Sequence, residues 1–308
     1  MNAKINDWTN IYQNQLLSSF YTRRGKAIVI PHIINYLHRL VNINTKEPIR
    51  ILDIGCGKGD LIFLLQSIIH NQKISRKIEL FGLDVNQELI SRMVDEGFPK
   101  ENIFVKNIVS LKPNELPYKF DLIIIINTLH ELLTKLLGFA HPTFPFDQYQ
   151  RAQLKIIEVL KIVSGYLSNS GSLIIYDGLA PDNLLKKVRF RLIDQESQDL
   201  LKKISVENLI WKLSYSMLAD GTYEMVNSDY VRFIATLKYI KSDLWKIEKN
   251  ENYFYFCESE FEKAIEQIGL ELESKILISN DLNYWQKHIK MIDPGSFPFK
   301  SILIMGSK

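Results

Sequence analysis

The sequence predicts an α/β fold: a doubly wound, mainly parallel seven-stranded sheet with helices at its N-terminus and a helical insertion after the fifth strand. Three observations carry this prediction. Short apolar runs alternate with longer segments of helical period between Pro48 and Asp177, the trace of strands buried on both faces with crossover helices between them. The first of these runs enters a glycine-rich turn. The alternation then stops from Pro181 to Phe256 and afterwards resumes.

Taken in order, residues 1–47 read as helices that precede the sheet, with Trp8, Tyr12, Phe20 and Tyr21 at mixed spacings. Ile49 to Ile54 is the first buried strand, Asp60 to Ile69 its crossover helix and Ile78 to Val85 the second strand. Gln87 to Glu96 is a helix closed by Gly97, because glycine takes the left-handed conformation that ends helices. Asn102 to Lys106 is a short third strand. In Phe120 to Ile126 the run Ile123, Ile124, Ile125, Ile126 marks a central strand covered on both faces. Asp147 to Leu167 reads as a long helix and Gly171 to Asp177 as the fifth strand. Past the insertion come a helix from Ser259 to Ile268 stopped by Gly269, a strand from Leu270 to Ile278 and a closing strand from Ser301 to Met305. The chain thus divides into an N-terminal cap (1–47), a core (48–180), an insertion or lid (181–256) and the remainder of the core (257–308).

Basic and acidic residues number 38 and 35 and are scattered, so the net charge of +3 gives no single-sign field for wrapping a nucleic acid. The local basic clusters, Arg23, Arg24 and Lys26 and then Lys186, Lys187, Arg189 and Arg191, read as solvated helix faces. Cys56 and Cys257 cannot build a disulfide framework or a multi-cysteine zinc site, which points to a reducing compartment. With no apolar leader and no uninterrupted span of roughly 20 apolar residues, the expected location is cytoplasmic.

The chemistry centres on Ile51-Leu52-Asp53-Ile54-Gly55-Cys56-Gly57-Lys58-Gly59-Asp60. At the carboxyl edge of a first parallel strand, glycines let backbone approach a ligand where a side chain would collide. The spacing G-x-G-x-G differs from the G-x-G-x-x-G that seats a dinucleotide pyrophosphate, and no Gly-Lys-Ser/Thr follows to make a P-loop. Asp53, ahead of the glycines, suits a ligand with a cationic ammonium. Asp84, ending the second strand, has lone pairs for the two hydroxyls of a ribose.

These residues resemble the class I, Rossmann-like S-adenosylmethionine-dependent methyltransferases, and the resemblance runs from about Pro48 to Asp177. Asn107-Ile108 is similar to the adenine-contacting position, with Asn where many members have Asp. Phe120 to Glu131 looks like the family's fourth motif, and Ser170 to Asp177 resembles the turn and strand that follow in small-molecule methyltransferases. The resemblance implies S-adenosylmethionine as cofactor, held by Asp53, Gly55, Cys56, Gly57, Asp84, Val85, Asn107, Ile108 and Asn127. Neither Asp121 nor Asp177 has a partner arrangement in the sequence that demands a metal, so none is expected.

Methyl transfer chiefly requires an acceptor lone pair aligned with the methyl carbon. Where a proton must also leave, His130 is the expected base, since histidine titrates near neutral pH; Glu131, Tyr176 and Asp177 are weaker candidates. The aromatics Trp211, Tyr215, Tyr223, Tyr230, Phe233, Tyr239 and Trp245 are expected mostly in the core, with some lining an acceptor pocket under the insertion. The expected acceptor is a small molecule, natural product or peptide, methylated on oxygen or nitrogen. An RNA or protein methyltransferase, a non-catalytic scaffold of the same fold and a homo-oligomer stand as alternatives or additions, while nicotinamide-dependent oxidation fails on the glycine spacing.

Overall fold

The computed structural model describes residues 28–42, 47–72, 74, 76–139, 141–206, 210–239, 242–243, 245, 249–279 and 281–308. The expected helices around Trp8, Tyr12, Phe20 and Tyr21, and the basic group Arg23, Arg24 and Lys26, lie outside them. The first described helix, α1 (Val29–Val41), precedes β1 (Ile49–Ile54), α2 (Asp60–Asn71), β2 (Ile78–Asp84), α3 (Gln87–Asp95), β3 (Ile103–Val105) and β4 (Phe120–Ile126). Next come α4 (Leu129–Leu137), α5 (Phe146–Ser164) and β5 (Leu167–Gly178). The main sheet has the order β3-β2-β1-β4-β5-β11-β9, where β9 is Glu271–Ile278 and β11 is Ser301–Ser307. β11 alone runs opposite to the other six strands, so the sheet is seven-stranded and mainly parallel.

Alternating side chains of the central strands feed two cores. Leu122, Ile124 and Ile126 face α1, α2 and α3 together with Val29, Ile33, Leu61, Leu65 and Met93. Ile123 and Ile125 face α4 and α5 with Leu129, Leu133, Ile156 and Leu160. This two-sided burial is why β4 is an almost unbroken apolar run. The Tyr36 hydroxyl fastens α1 to the sheet by donating to the carbonyls of Asp121 and Ser170 at 2.8 and 2.9 Å.

The segment after β5 departs from the helical insertion expected of it. It holds β6 (Lys187–Leu192), α6 (Gln195–Val206), β7 (Tyr215–Met217), β8 (Tyr223–Val226) and α7 (Asn227–Leu237). With β10 (Ile289–Asp293), reached through α8 (Glu258–Gln267) and α9 (Leu282–His288), these strands form a four-stranded antiparallel sheet of order β10-β6-β8-β7. The cause is a period of two: Val188, Phe190 and Leu192 point inward while Lys187, Arg189 and Arg191 point out. The basic cluster is therefore a strand face, neutralised by Glu224, 2.6 Å from Lys187 and 2.8 Å from Arg189, and by Asp220, 3.2 Å from Arg191. The second core runs continuously into this added sheet, taking in Phe190, Trp211, Tyr230, Phe233 and Trp285.

The long helix also ends earlier than its apolar periodicity suggests, at Ser164, and Leu167 already opens β5. Among the described residues no helix is long and apolar enough to cross a membrane.

Candidate active site

The carboxyl ends of β2, β1, β4 and β5 lie side by side and floor a cavity of about 720 Å³. Gly55 and Gly57 both take positive φ, +75° and +56°, in the turn that leads from β1 to α2. They differ in what surrounds them. A Cβ on Gly55 would fall 2.1 Å from the Thr128 hydroxyl, whereas one on Gly57 would meet only a Leu89 methyl at 3.9 Å. Gly55 therefore makes room for the β4–α4 junction, and Gly57 leaves open the space above the loop. Asp84 braces the loop, its Oδ2 accepting from the Gly57 N–H and its Oδ1 from the Asn86 N–H, both at 2.8 Å.

Gly55, Gly57, Asp84, Val85, Asn107, Ile108, Asn127 and His130 all line this cavity. Asn127 stands in the left-handed region at φ 51°, with its N–H donating to the Tyr176 carbonyl at 2.8 Å. The Asn107 side chain accepts from the Val109 N–H at 3.0 Å and shapes the turn after β3. Two of the expected residues do not border the cavity. Asp53 is buried within β1, paired in register with Gly82 and Ile124. Cys56 turns inward onto Gly82, where burial pushes its thiol far up. A loop's inward and outward side chains follow from its dihedral angles, which the residue spacing alone does not give.

His130, in the first turn of α4, is buried against Asp177 at the end of β5, with Nδ1 2.5 Å from Oδ1. Its Nε2 lies 3.7 Å from Glu251 Oε2. Burial alone would lower its pKa, but the Asp177 charge and hydrogen bond, reinforced by Glu251, outweigh burial and push it up to about 10. The ring is therefore an imidazolium at neutral pH. Asp177 also accepts from the N–H groups of Leu129 at 2.9 Å and Gly178 at 2.8 Å, so it caps α4 as well as orienting the ring.

The cavity extends past His130 to groups with no motif in the sequence: Lys238, Tyr239, Glu251, Tyr253, Asp281, Lys300 and Ser301. The Tyr253 ring lies 5.3 Å from the His130 ring and 6.3 Å from Tyr239. Among the described residues its buried hydroxyl has no hydrogen-bond partner. The peptide of Tyr253 crosses the end of β5 so closely that a Cβ on Gly178 would lie 1.3 Å from the Tyr253 carbonyl oxygen. Gly178 is the one sequence signal that could have shown a chain passing over this edge.

A family model described as a methyltransferase domain matches residues 45–231. The chain belongs to that family. It is a class I S-adenosylmethionine-dependent methyltransferase, with S-adenosylmethionine as its cofactor. No curated protein matches the chain. Among solved structures, the methyltransferase resembles an S-adenosylmethionine-dependent methyltransferase from Clostridium acetobutylicum at 12% identity, 98% coverage of each chain and a TM-score of 0.45. It also resembles one from Mesorhizobium loti at 14% identity, covering 84% of this chain and 90% of that one, with a TM-score of 0.43. A third, the magnesium protoporphyrin IX methyltransferase of Synechocystis PCC 6803, has 13% identity, 99% and 94% coverage and a TM-score of 0.44.

The residues present in the methyltransferase fit the cofactor. The open space over Gly57 admits a ligand against backbone, Asp84 stands at the strand end beside it, and Val85, Asn107 and Ile108 border the adjoining wall.

Proposed function

We propose that the methyltransferase acts on an oxygen or nitrogen atom of a small-molecule or peptide acceptor, bound in the half of the cavity beyond His130. The observation that carries this reading is the single cavity running from the glycine loop to Tyr253 and Lys300, walled on its far side by Lys238, Glu251, Tyr253, Asp281 and Lys300, all outside the parallel strands. A recess of that size suits a small molecule or a peptide end. The cofactor-binding half comprises Gly55, Gly57, Asp84, Val85, Asn107, Ile108 and Asn127, with Asp53 and Cys56 supporting the loop from below. S-adenosylmethionine supplies an electrophilic methyl group on a sulfonium.

His130 handles the departing proton through Glu251 in this reading. A ring already protonated at neutral pH cannot take a second proton. It can hold the Glu251 carboxylate at the cavity wall, and that carboxylate receives the proton from an acceptor hydroxyl or ammonium. Label transfer from methyl-labelled S-adenosylmethionine into fractionated cell extract tests the acceptor class. Label is expected in the small-molecule and peptide fraction, and label confined to RNA or folded protein would overturn the proposal.

A further inference from the structure

We infer that the acceptor carries an anionic oxygen group, a carboxylate or phosphate, seated by Lys238 and Lys300. The inference rests on the reading of the far half of the cavity as the acceptor site.

Both ammonium groups converge on one carboxylate. Lys238 Nζ lies 2.8 Å from Asp281 Oδ2, and Lys300 Nζ contacts the same oxygen. All three side chains are mostly buried and all three line the cavity. Among the described residues, two positive charges on one negative charge leave a surplus cation facing the cavity. Uncompensated charge in a partly desolvated site is costly. The cost shows at Lys300, whose ammonium is pulled down to about 8 by burial and by the neighbouring Lys238. An anion bound between the two lysines would supply the missing charge.

The lysines are also held in place. Lys300 is clamped at the carboxyl edge, its N–H donating to the Ile278 carbonyl and its carbonyl accepting from the Leu179 N–H, both at 2.9 Å. Lys238 caps the C-terminal end of α7. Its ammonium lies 4.9 Å from the Tyr239 ring, so Tyr239 and Tyr253 bridge the cationic corner to His130. That arrangement suits an acceptor with an apolar or aromatic middle and an anionic end.

The cofactor's own carboxylate is the competing ligand for these charges. In the strand order β1-β4-β5-β11, Lys300 stands three strands from the glycine loop, roughly 14 Å at about 4.8 Å per strand. The lysines thus sit on the side away from Asp84 and Asn107, beyond His130.

Calorimetry on the full chain saturated with S-adenosylhomocysteine tests the inference with three probes of one shape: benzoate, phenyl phosphate and neutral benzamide. At least one anion is expected to bind about tenfold or more tightly than benzamide, the scale of a charge-assisted hydrogen bond. The better anion identifies the carboxylate or the phosphate. Lys300→Met and Lys238→Met should each erase most of that preference and keep S-adenosylhomocysteine affinity. Each leaves one lysine balanced by Asp281, so each is expected to fold, and a melt of the cofactor complex verifies it. Equal binding of benzamide and both anions, or no binding of any probe, overturns the anion site and leaves the methyltransferase reading intact. Weakened S-adenosylhomocysteine binding in both lysine variants also overturns it, assigning the lysines to the cofactor. Failure of the wild type to bind S-adenosylhomocysteine would instead remove the reading beneath the inference.

Discussion

Gly57→Val is expected to abolish S-adenosylhomocysteine binding while sparing the cooperative melt, because the added side chain enters open space where the ligand approaches. Gly55→Ala is expected to act on the fold, lowering stability by about 1–3 kcal/mol through the collision with Thr128. Thr128→Ala should restore part of that loss in the double variant, measured by urea denaturation. Asp84→Ala removes the acceptor that braces the loop, and calorimetry should find cofactor binding weakened by about 1.5–3 kcal/mol. His130 offers a pH signature. Its folded pKa, about 10, lies above the ordinary 6.5, so its stabilising contribution is complete below about pH 6.5 and is lost as pH rises through 10. Denaturation of wild type against His130→Gln should show a gap that closes over that window, and a gap independent of pH would overturn the protonated ring. The sequence made Asp84, Gly57 and His130 legible as cavity-lining groups because each lies at a strand end or in the turn or first helical turn that follows it. It could not distinguish Gly55 from Gly57, since the neighbour that separates them, Thr128, arrives from another strand.

Gly178→Ala addresses the crossing of two elements. A methyl there strikes the Tyr253 carbonyl, so residues 249–256 must lift from the end of β5 and carry Glu251 and Tyr253 with them. Methyl transfer is expected to fall far more than S-adenosylhomocysteine affinity, because the glycine loop lies two strands away; equal losses in both assays would show that the crossing does not govern the acceptor half. β1, β2 and β4 could be read from sequence nearly to the residue, since strands buried on both faces are bounded apolar runs. Helix α4 was harder to see. Its preceding residue, Thr128, makes no side-chain cap, and the cap comes from Asp177, 48 residues on from Leu129. Strand β6 was hidden for another reason, its period-two pattern being only six residues long inside a segment otherwise rich in helical spacing.

On the scale of the whole molecule, the added sheet and the parallel sheet share one core. Trp211 packs on Phe144 at a ring separation of 5.0 Å, and the Ile210 carbonyl accepts from the His141 N–H at 2.9 Å. Excision of residues 181–256 is therefore expected to abolish the cooperative thermal transition, and a shortened chain that still melts sharply would show the insertion to be a separate unit. Sequence alternation located this segment but not its attachment, because β10, which pairs with β6, lies far along the chain. The two halves of the cavity differ in the same way. Gly55, Gly57, Asp84, Asn107, Asn127 and His130 belong to one early stretch, while Tyr176, Lys238, Glu251, Tyr253, Asp281 and Lys300 are spread over the later one. A ribosome delivers these in order, and domains fold as their segments emerge. The nascent chain thus holds Gly55, Gly57, Asp84, Asn107 and Asn127, the groups proposed for its cofactor, long before Lys300 pairs with Asp281. The proposed acceptor pocket is complete only once Lys300 has emerged, so a polypeptide stopped short of it lacks the place in which to spend a methyl group.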